Sequence, residues 1–457
     1  MITKEAIGIL EGVVGQENVA LDPAALAVYA YDATRIKGAP EVVVRPGSED
    51  EISKIMVYAS RNEIPVVPRG AGSGLSGGAV AASGGIVLSF ERMNNIISID
   101  TENRIAVVQP GVVTGAFQKA VEEKGLFYPP DPGSLAYCTL GGNVAENAGG
   151  MRALKYGVTR DYVIGLRAVL TDGGMVRTGV RTAKGVVGYD LTRLLVGSEG
   201  TLAVITEITL KLVPKPEKVV TMTALFRDSR EAGGAVAAVM ASPFTPRCLE
   251  FMDSEALKAG AKLSGMPLPS DAGGFLLVET DGSAAESARQ ADAIRALLEK
   301  HALEVKTARD ADEAQALWKL RRSTSQALFT IAPDKINEDT VVPVSKVAEA
   351  LEGFRRIGDN YGLKIVCFGH AGDGNIHVNV MTDKKDPDKK ARAEDAVREV
   401  FALVLELGGT ISGEHGVGLT KAQYLGMELT EKEIEIHKRI KRTFDPQGII
   451  NPGKIFI

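Results

Sequence analysis

Short apolar runs separated by glycine-rich segments characterise the first 215 residues of the chain. Apolar runs bounded by turn residues predict strands, and apolar residues at helical spacing predict helices. The predicted strands are 64–67, 85–90, 163–170, 201–212 and a pair within 96–113, and the predicted helices are 49–62 and 114–124. Asp172-Gly173-Gly174 predicts a hairpin turn. The alternation of Ile208, Leu210 and Leu212 with polar residues predicts a strand buried on one face.

Two prolines in the segment Val-Pro-Lys-Pro-Glu at 213–217 mark the clearest boundary, because proline disrupts helix interiors and central strands. Beyond it, strands alternate with long amphipathic helices, which is typical of an α+β domain. The predicted strands are 219–226, 275–279 and 363–368, and the predicted helices are 286–301, 312–328, 344–361 and 389–407. Thr430 and Glu433 have the spacing of a capping box, so a last helix is predicted to begin there and to end before Pro446.

The composition excludes several classes of protein. Apolar residues make up 45% of the chain and charged residues 24%, which argues against disorder. The net charge of −5 offers no basic surface for nucleic acid. The three cysteines form no paired motif and no signal peptide is evident, so a reducing, cytoplasmic location is expected. The longest uncharged run, 70–90, is too rich in glycine and serine to cross a membrane, so an integral membrane protein is not expected.

The 50 glycines are about 11% of the residues, against about 7% usually, and many lie in clusters. In the first cluster, 68–78, Gly72, Gly74 and Gly77 have the spacing of a dinucleotide-binding loop. The residues that follow lead into a strand instead of the helix that such a loop requires, and Gly78 replaces the lysine of a P-loop. Successive backbone N–H groups could still bind a diphosphate, although a plain glycine-rich turn fits this segment about as well.

Two further clusters favour a ligand over a plain turn. One lies within 130–150, and the other is 197–202, directly before a predicted strand. Three glycine-rich loops in one domain suit a large planar ligand that carries a diphosphate and lies against backbone.

Three of the five histidines lie in two motifs with metal-binding chemistry. His370 and His377 bracket a glycine-rich turn, and Glu414-His415 lies between two glycines. Two imidazoles and a carboxylate form a three-ligand set that leaves positions open for substrate. For the histidine pair alone, hydrogen bonding in a hairpin core is the commoner explanation. His301 and His437 lie on predicted charged helices and are expected at the surface.

Several motifs together resemble one flavoprotein family. PRGAGSGLSGG, PPDPGS, CTLGGNVAENAGG, KYGVTRDYV and VGSEGTLAVITEITLKL resemble the FAD-binding domain of proteins related to vanillyl-alcohol oxidase. FGHAGDGNIHVN, GGTISGEHGVGLTK and FDPQGIINPGKI resemble the C-terminal half of FAD-linked 2-hydroxyacid dehydrogenases. That group includes the glycolate oxidase flavin subunit, D-lactate dehydrogenases and D-2-hydroxyglutarate dehydrogenases. The resemblance extends almost from end to end, and the motifs occur in the same order.

The resemblance implies an α+β fold with a two-part FAD-binding domain of the vanillyl-alcohol oxidase type at 1–215. It also implies an α+β sandwich substrate domain at 216–409 and a C-terminal segment, 410–457, that completes the active site and returns to the FAD domain. The FAD is expected to be non-covalent, because Ser73 stands where covalent relatives carry a histidine. The implied FAD-binding residues are Pro68, Arg69, Gly70, Ala71, Gly72, Ser73, Gly74, Leu75, Pro132, Gly133, Ser134, Thr139, Gly141, Gly142, Asn143, Ala148, Gly149, Gly150, Tyr156, Gly157, Glu199, Gly200, Ile205 and Asn451.

The resemblance also assigns the chemistry of the histidine motifs. It implies that His370, His377 and Glu414 bind a divalent metal (Zn, Mn or Fe) and that His415 is the catalytic base. Arg321, Lys335 and Asn379 would bind the substrate, and an arginine suits a carboxylate because its guanidinium can bind it bidentately.

The implied function is metal-assisted, FAD-dependent oxidation of a small D-2-hydroxy acid. The electrons would pass to an acceptor such as an electron-transfer flavoprotein, a quinone or an iron–sulfur subunit. Such a partner could hold the protein peripherally at the inner membrane. The sequence leaves open whether the protein forms a homodimer. Two alternatives from other classes are a metallohydrolase, in which the glycine loops are structural, and a non-catalytic flavin subunit of a redox complex.

Overall fold

The computed structural model describes residues 2–456, which form two compact units. The first unit comprises the chain up to Gly149, 158–215 and the chain from Glu414 onward, and the second comprises 150–157 and 216–413. One of the boundaries between them falls between Lys215 and Pro216, within the proline segment that marks the boundary in the sequence.

The helices and strands largely follow the apolar pattern of the sequence. The helices are α1 (Lys4–Val14), α2 (Pro23–Tyr29), α3 (Glu49–Arg61), α4 (Thr114–Glu122), α5 (Leu140–Glu146), α6 (Ala153–Tyr156), α7 (Leu191–Leu195), α8 (Ser229–Met240), α9 (Ser254–Ser264), α10 (Ala284–Leu298), α11 (Ala311–Ala327), α12 (Val347–Tyr361), α13 (Pro387–Glu406), α14 (Leu425–Glu428) and α15 (Glu431–Phe444). The strands are β1 (Val19–Ala20), β2 (Val42–Val44), β3 (Val66–Arg69), β4 (Ile86–Ser89), β5 (Ile96–Asp100), β6 (Ile105–Val108), β7 (Leu126–Phe127), β8 (Val163–Val169), β9 (Met175–Gly179), β10 (Val204–Lys211), β11 (Val213–Pro214), β12 (Lys218–Phe226), β13 (Cys248–Asp253), β14 (Gly274–Gly282), β15 (Glu304–Thr307), β16 (Asp334–Val341), β17 (Ile365–His370) and β18 (Asn375–Thr382).

The first unit contains a four-stranded sheet, β1-β2-β4-β3, in which β4 runs parallel to β2 and β3. It also contains a five-stranded sheet, β5-β6-β10-β8-β9, and the pair β11-β7. The glycine-rich segment between β3 and β4 contains turns and bends but no helix. This confirms that the first glycine cluster does not open a dinucleotide-binding helix.

Strand β10 differs from its prediction. It lies between β6 and β8 in the middle of its sheet, and all but two of its residues are buried. Of the two polar residues that the alternation places opposite Ile208 and Leu210, Thr209 is buried and Lys211 is exposed. The prediction of a strand buried on one face therefore holds at Lys211 and is wrong at Thr209, because sequence alternation reports polarity and cannot show that packing covers part of the second face.

The second unit is built on one antiparallel sheet with the order β15-β12-β14-β13-β17-β18-β16. Helices α9 and α11 pack on it through an apolar cluster that includes Met252, Leu320 and Phe368. Helices α8, α10, α12 and α13 also pack against this sheet. The three strands β17, β18 and β16 at one side of the sheet carry the histidine motif and its neighbours.

The segment 150–157 leaves the glycine-rich region of the first unit and joins the second unit. Lys155 forms an ion pair with Asp281 of β14, and the Tyr156 hydroxyl donates to Asp281 Oδ2 at 2.8 Å. Tyr156 was predicted to bind FAD; the structure places its hydroxyl on Asp281, and the FAD assignment stays a prediction.

Two further expectations from the sequence are met. Thr430 and Glu433 form the predicted capping box at the start of α15, and His301 and His437 are exposed. Within residues 2–456, no helix is both long and apolar enough to cross a membrane.

Candidate active site

The β17–β18 hairpin places two histidines on one face of the second unit. Phe368 pairs with His377 across the hairpin, and His370 lies two residues beyond Phe368, so the three side chains share a face. The imidazole centroids of His370 and His377 lie 5.2 Å apart. The turn between the strands requires Gly374, which has φ +83° and lies against the Val342 carbonyl. Both histidines are buried.

Each histidine has a buried carboxylate beside it. His370 Nδ1 lies 2.6 Å from Glu250 Oε1, and Asp339 is paired with His377 across β16 and β18, with Oδ1 4.0 Å from Nδ1. Burial opposes the ionisation of Glu250, but His370 and Arg321 outweigh it and hold the pKa of this carboxyl below its usual value. The two imidazoles together with Asp339 are a donor set that fits a divalent metal.

Arg321 is brought to the same face by α11. Its Nη2 lies 2.7 Å from Glu250 Oε2, and its guanidinium lies over the Phe368 ring at 4.8 Å from the centroid. Arg321 Nε is a buried donor without a hydrogen-bond partner within the described residues. A buried, oriented guanidinium with a spare donor is suited to an anionic ligand.

Asn379 and Lys335 lie farther along the same group of strands. Asn379 is fully buried, and its Nδ2 donates to the carbonyls of Val366 and His377. Its Oδ1 accepts no hydrogen bond from residues 2–456. Lys335 donates from Nζ to the carbonyl and hydroxyl of Ser325, and burial lowers the pKa of Lys335 to about 8.

The chain passes from the second unit to the first between Gly413 and Glu414. The Gly413 N–H donates to Asp339 Oδ2 at 2.9 Å, and Glu414 and His415 are the next two residues. Within the first unit, Glu414 lies against Gly149, where an added Cβ would be 2.7 Å from Glu414 Oε2. Glu414 and His415 are both half-buried.

The three glycine clusters converge within the first unit. An added Cβ on Gly70 would clash with Thr139 of the second cluster. The Glu199 N–H of the third cluster donates to the Ala145 carbonyl at 2.8 Å. Asn451 donates from Nδ2 to the carbonyls of Gly78 and Glu199, which joins the first cluster to the third. Of the residues predicted to bind FAD, Gly150, Tyr156 and Gly157 lie in the second unit and the others lie in the first.

Two buried polar side-chain atoms in this region are available to hydrogen-bond a polar ligand. Asn451 Oδ1 and Glu146 Oε2 are buried and have no hydrogen-bond partner within residues 2–456. Burial, reinforced by Glu199, raises the pKa of Glu146 well above its usual value. Backbone N–H groups in glycine loops together with such side chains suit the diphosphate and hydroxyl groups of FAD.

Sequence reasoning missed Glu250, Asp339 and Glu146. The signal for Glu250 was an acidic residue inside the apolar segment Cys-Leu-Glu-Phe-Met, where an unpaired charge would be costly. Asp339 lies in a polar strand, Asp334–Val341, at the edge of its sheet, and an acidic residue in such a strand gave only a weak signal. Glu146 gave no comparable signal, because it ends a helix next to polar residues.

Comparison with known proteins gives two family matches. Residues 215–455 match the family described as "FAD linked oxidases, C-terminal domain", and residues 40–179 match that described as "FAD binding domain". The chain is 47% identical to "Glycolate oxidase subunit GlcD" of Bacillus subtilis, over 100% of this chain and 97% of that protein. It is 37% identical to "D-lactate dehydrogenase" of Anaerostipes hadrus (92% and 90%) and 35% identical to "D-2-hydroxyglutarate dehydrogenase" of Stutzerimonas stutzeri (98% and 98%).

Two solved structures share the fold at low sequence identity. A p-cresol methylhydroxylase with bound substrate matches with a TM-score of 0.83 at 18% identity, over 100% of this chain and 98% of that one. The 4-ethylphenol oxidase of Gulosibacter chungangensis matches with a TM-score of 0.77 at 19% identity, over 100% and 98%. These matches confirm the predicted fold class.

Proposed function

The chain belongs to the family of FAD-linked oxidases, as the sequence motifs indicated, and from that premise we propose that it oxidises a small D-2-hydroxy acid to the 2-oxo acid. As a member of this family it is an oxidoreductase. The observation that carries the choice of substrate class is the convergence of Arg321, His370 and His377 on one sheet face. A 2-hydroxy acid presents a carboxylate and a hydroxyl on adjacent carbons, and these residues supply a cation for the first and metal ligands for the second. The relatives named for glycolate, D-lactate and D-2-hydroxyglutarate support this class.

FAD is the cofactor, and the three glycine clusters with Asn451 are proposed to hold it non-covalently. Ser73 in the first cluster supports non-covalent binding, because covalent attachment in this superfamily uses a histidine at this position. Bound FAD would accept the hydrogen that leaves C2 together with its electron pair.

A divalent metal is proposed at His370, His377 and Glu414. The donor set in the second unit supports it, and Glu414 follows Gly413, which Asp339 holds by a hydrogen bond. A bound metal would lower the pKa of the substrate hydroxyl. Arg321, Lys335 and Asn379 are proposed to orient the carboxylate end of the substrate, and His415 accepts the hydroxyl proton on its imidazole nitrogen.

Turnover also requires an electron acceptor. An electron-transfer flavoprotein, a quinone or an iron–sulfur partner subunit is proposed, in preference to oxygen. The printed names of two relatives as glycolate oxidase subunits support a partner chain.

We expect the purified protein to show flavin absorbance that bleaches on anaerobic mixing with a D-2-hydroxy acid and not with its L-enantiomer. The panel is glycolate and the D- and L-forms of lactate and 2-hydroxyglutarate, followed by stopped-flow absorbance. Protein without flavin absorbance would favour the metallohydrolase alternative. Flavin that no acid of the panel reduces would favour a non-catalytic flavin subunit.

The affinity for substrate is expected to fall as the pH rises through about 8. Deprotonation there removes the positive charge of Lys335, whose pKa is lowered to about 8, so its attraction for a carboxylate is lost above that pH. A charge-assisted hydrogen bond contributes about 1.5–3 kcal/mol, which corresponds to a KM about 10- to 150-fold higher once Lys335 is largely neutral. The measurement is KM against pH by steady-state kinetics.

The matched control is Lys335→Arg, whose guanidinium keeps its charge throughout this range. Its KM should stay flat where that of the unmodified protein rises. An equal rise in both proteins would remove Lys335 as the titrating group.

A further inference from the structure

Glu250 is a fully buried carboxylate that contacts two functional side chains at once. It lies on β13 next to Phe251, which pairs with Gly369, the residue before His370 of β17. Oε1 lies 2.6 Å from His370 Nδ1, and Oε2 lies 2.7 Å from Arg321 Nη2. One oxygen therefore serves the proposed metal subsite and the other serves the proposed substrate-carboxylate subsite.

The contact with His370 fixes which ring nitrogen can bind a metal. An ionised carboxylate only accepts hydrogen bonds, so Nδ1 must carry the proton that Glu250 receives. Nε2 is then the nitrogen with a lone pair for a metal ion. A carboxylate behind a metal-binding histidine sets its tautomer and ring orientation and increases its basicity.

The contact with Arg321 fixes the guanidinium. Glu250 holds one terminal nitrogen, and the Phe368 ring supports the plane at 4.8 Å. The remaining donors, including the buried Nε, keep a defined direction for an incoming carboxylate. A rigid arginine loses less entropy when it binds its ligand.

We propose that Glu250 is a positioning residue that couples the metal subsite to the substrate-carboxylate subsite, and this rests on the function proposed above. The same carboxylate sets the metal-binding tautomer of His370 and the direction of Arg321. The hydroxyl and carboxylate of a 2-hydroxy acid are on adjacent carbons, so their two binding groups must keep a fixed separation. A single buried carboxylate between the two groups maintains it.

Glu250→Gln tests the coupling because an amide cannot serve both neighbours. If its oxygen faces His370, its NH2 group faces Arg321, which has only donors, and Arg321 is displaced. If its NH2 group faces His370 instead, it donates to Nδ1, and the ring proton moves to Nε2, where it blocks metal binding. At least one of the two subsites must therefore be lost.

The experiment measures three quantities on the flavin-containing protein. Zn²⁺ affinity is titrated against a chromophoric chelator in metal-depleted protein, KM and kcat are measured after metal loading, and thermal unfolding is measured without metal. Loss of such a carboxylate typically lowers metal affinity about 10–100-fold. We expect Glu250→Gln to lower Zn²⁺ affinity by about that factor, to raise KM about tenfold or more, or to do both.

The control is Glu279→Gln on the neighbouring strand β14. Glu279 is also buried and bonds to Arg247 and to Trp318, so this variant loses a buried carboxylate outside the proposed site. It should unfold at a lower temperature and keep the Zn²⁺ affinity and KM of the unmodified protein. If Glu250→Gln does not fold, Glu250→Asp, which keeps the charge but is shorter by one methylene, should change Zn²⁺ affinity and KM together.

Unchanged Zn²⁺ affinity and KM in Glu250→Gln, or in Glu250→Asp where that is the variant measured, would overturn the coupling. The coupling would also be overturned if Glu279→Gln lost Zn²⁺ affinity and raised KM as much as Glu250→Gln does. If the unmodified protein binds no Zn²⁺ and no 2-hydroxy acid reduces its flavin, the proposed function itself fails. The two failures are therefore distinguishable.

Discussion

Replacing His415 with alanine is expected to slow anaerobic flavin reduction by about 10²–10⁴-fold at saturating D-2-hydroxy acid. A positioned general base contributes about that factor, and alanine has no group that can accept the hydroxyl proton. The loss should appear in the rate of reduction and only weakly in substrate affinity, because Arg321, Lys335 and Asn379 remain. Stopped-flow absorbance under anaerobic conditions measures it directly.

Two variants make this result specific. His301→Ala removes an exposed histidine in the second unit and should reduce flavin at the unmodified rate. Arg321→Ala should mainly raise KM, since it removes a contact made in the ground state and the transition state alike. Flavin reduction at near the unmodified rate in His415→Ala would show that another group is the base.

Chelation of divalent metal is expected to lower activity by at least about 10²-fold while most FAD stays bound. A metal that polarises the substrate oxygen contributes several kcal/mol to transition-state stabilisation. FAD should remain because His370 and His377 lie in the second unit, whereas nearly all residues proposed to hold FAD lie in the first. Activity is measured before and after chelation, and bound FAD is quantified by its release in acid.

Addition of Zn²⁺, Mn²⁺ or Fe²⁺ to the chelated protein should restore activity, and the most effective ion identifies the metal. The same additions should not restore activity to His377→Ala, which lacks one of the proposed ligands. Full activity in a metal-free sample would contradict the metal assignment.

Local pattern was enough to predict most elements. The hairpin β8–β9 follows from Asp172-Gly173-Gly174, and the helix α15 follows from the capping box of Thr430 and Glu433. In both cases the residues that determine the conformation are within a few positions of each other, so their physics is readable from the sequence. The prediction for β10 was wrong at Thr209, because burial on that face of the strand depends on the rest of the unit.

The sequence by itself determined the glycine clusters, the His370–His377 hairpin and, through its motifs, the FAD-linked oxidase family. Only the tertiary structure decided that Glu250 stands between His370 and Arg321 and that Asp339 pairs with His377. It also decided that Asn451 joins two glycine clusters that are more than a hundred residues apart in sequence. The physical reason is that strand register and helix packing depend on burial throughout a unit. This burial involves residues far apart in sequence, so no local residue pattern can predict it.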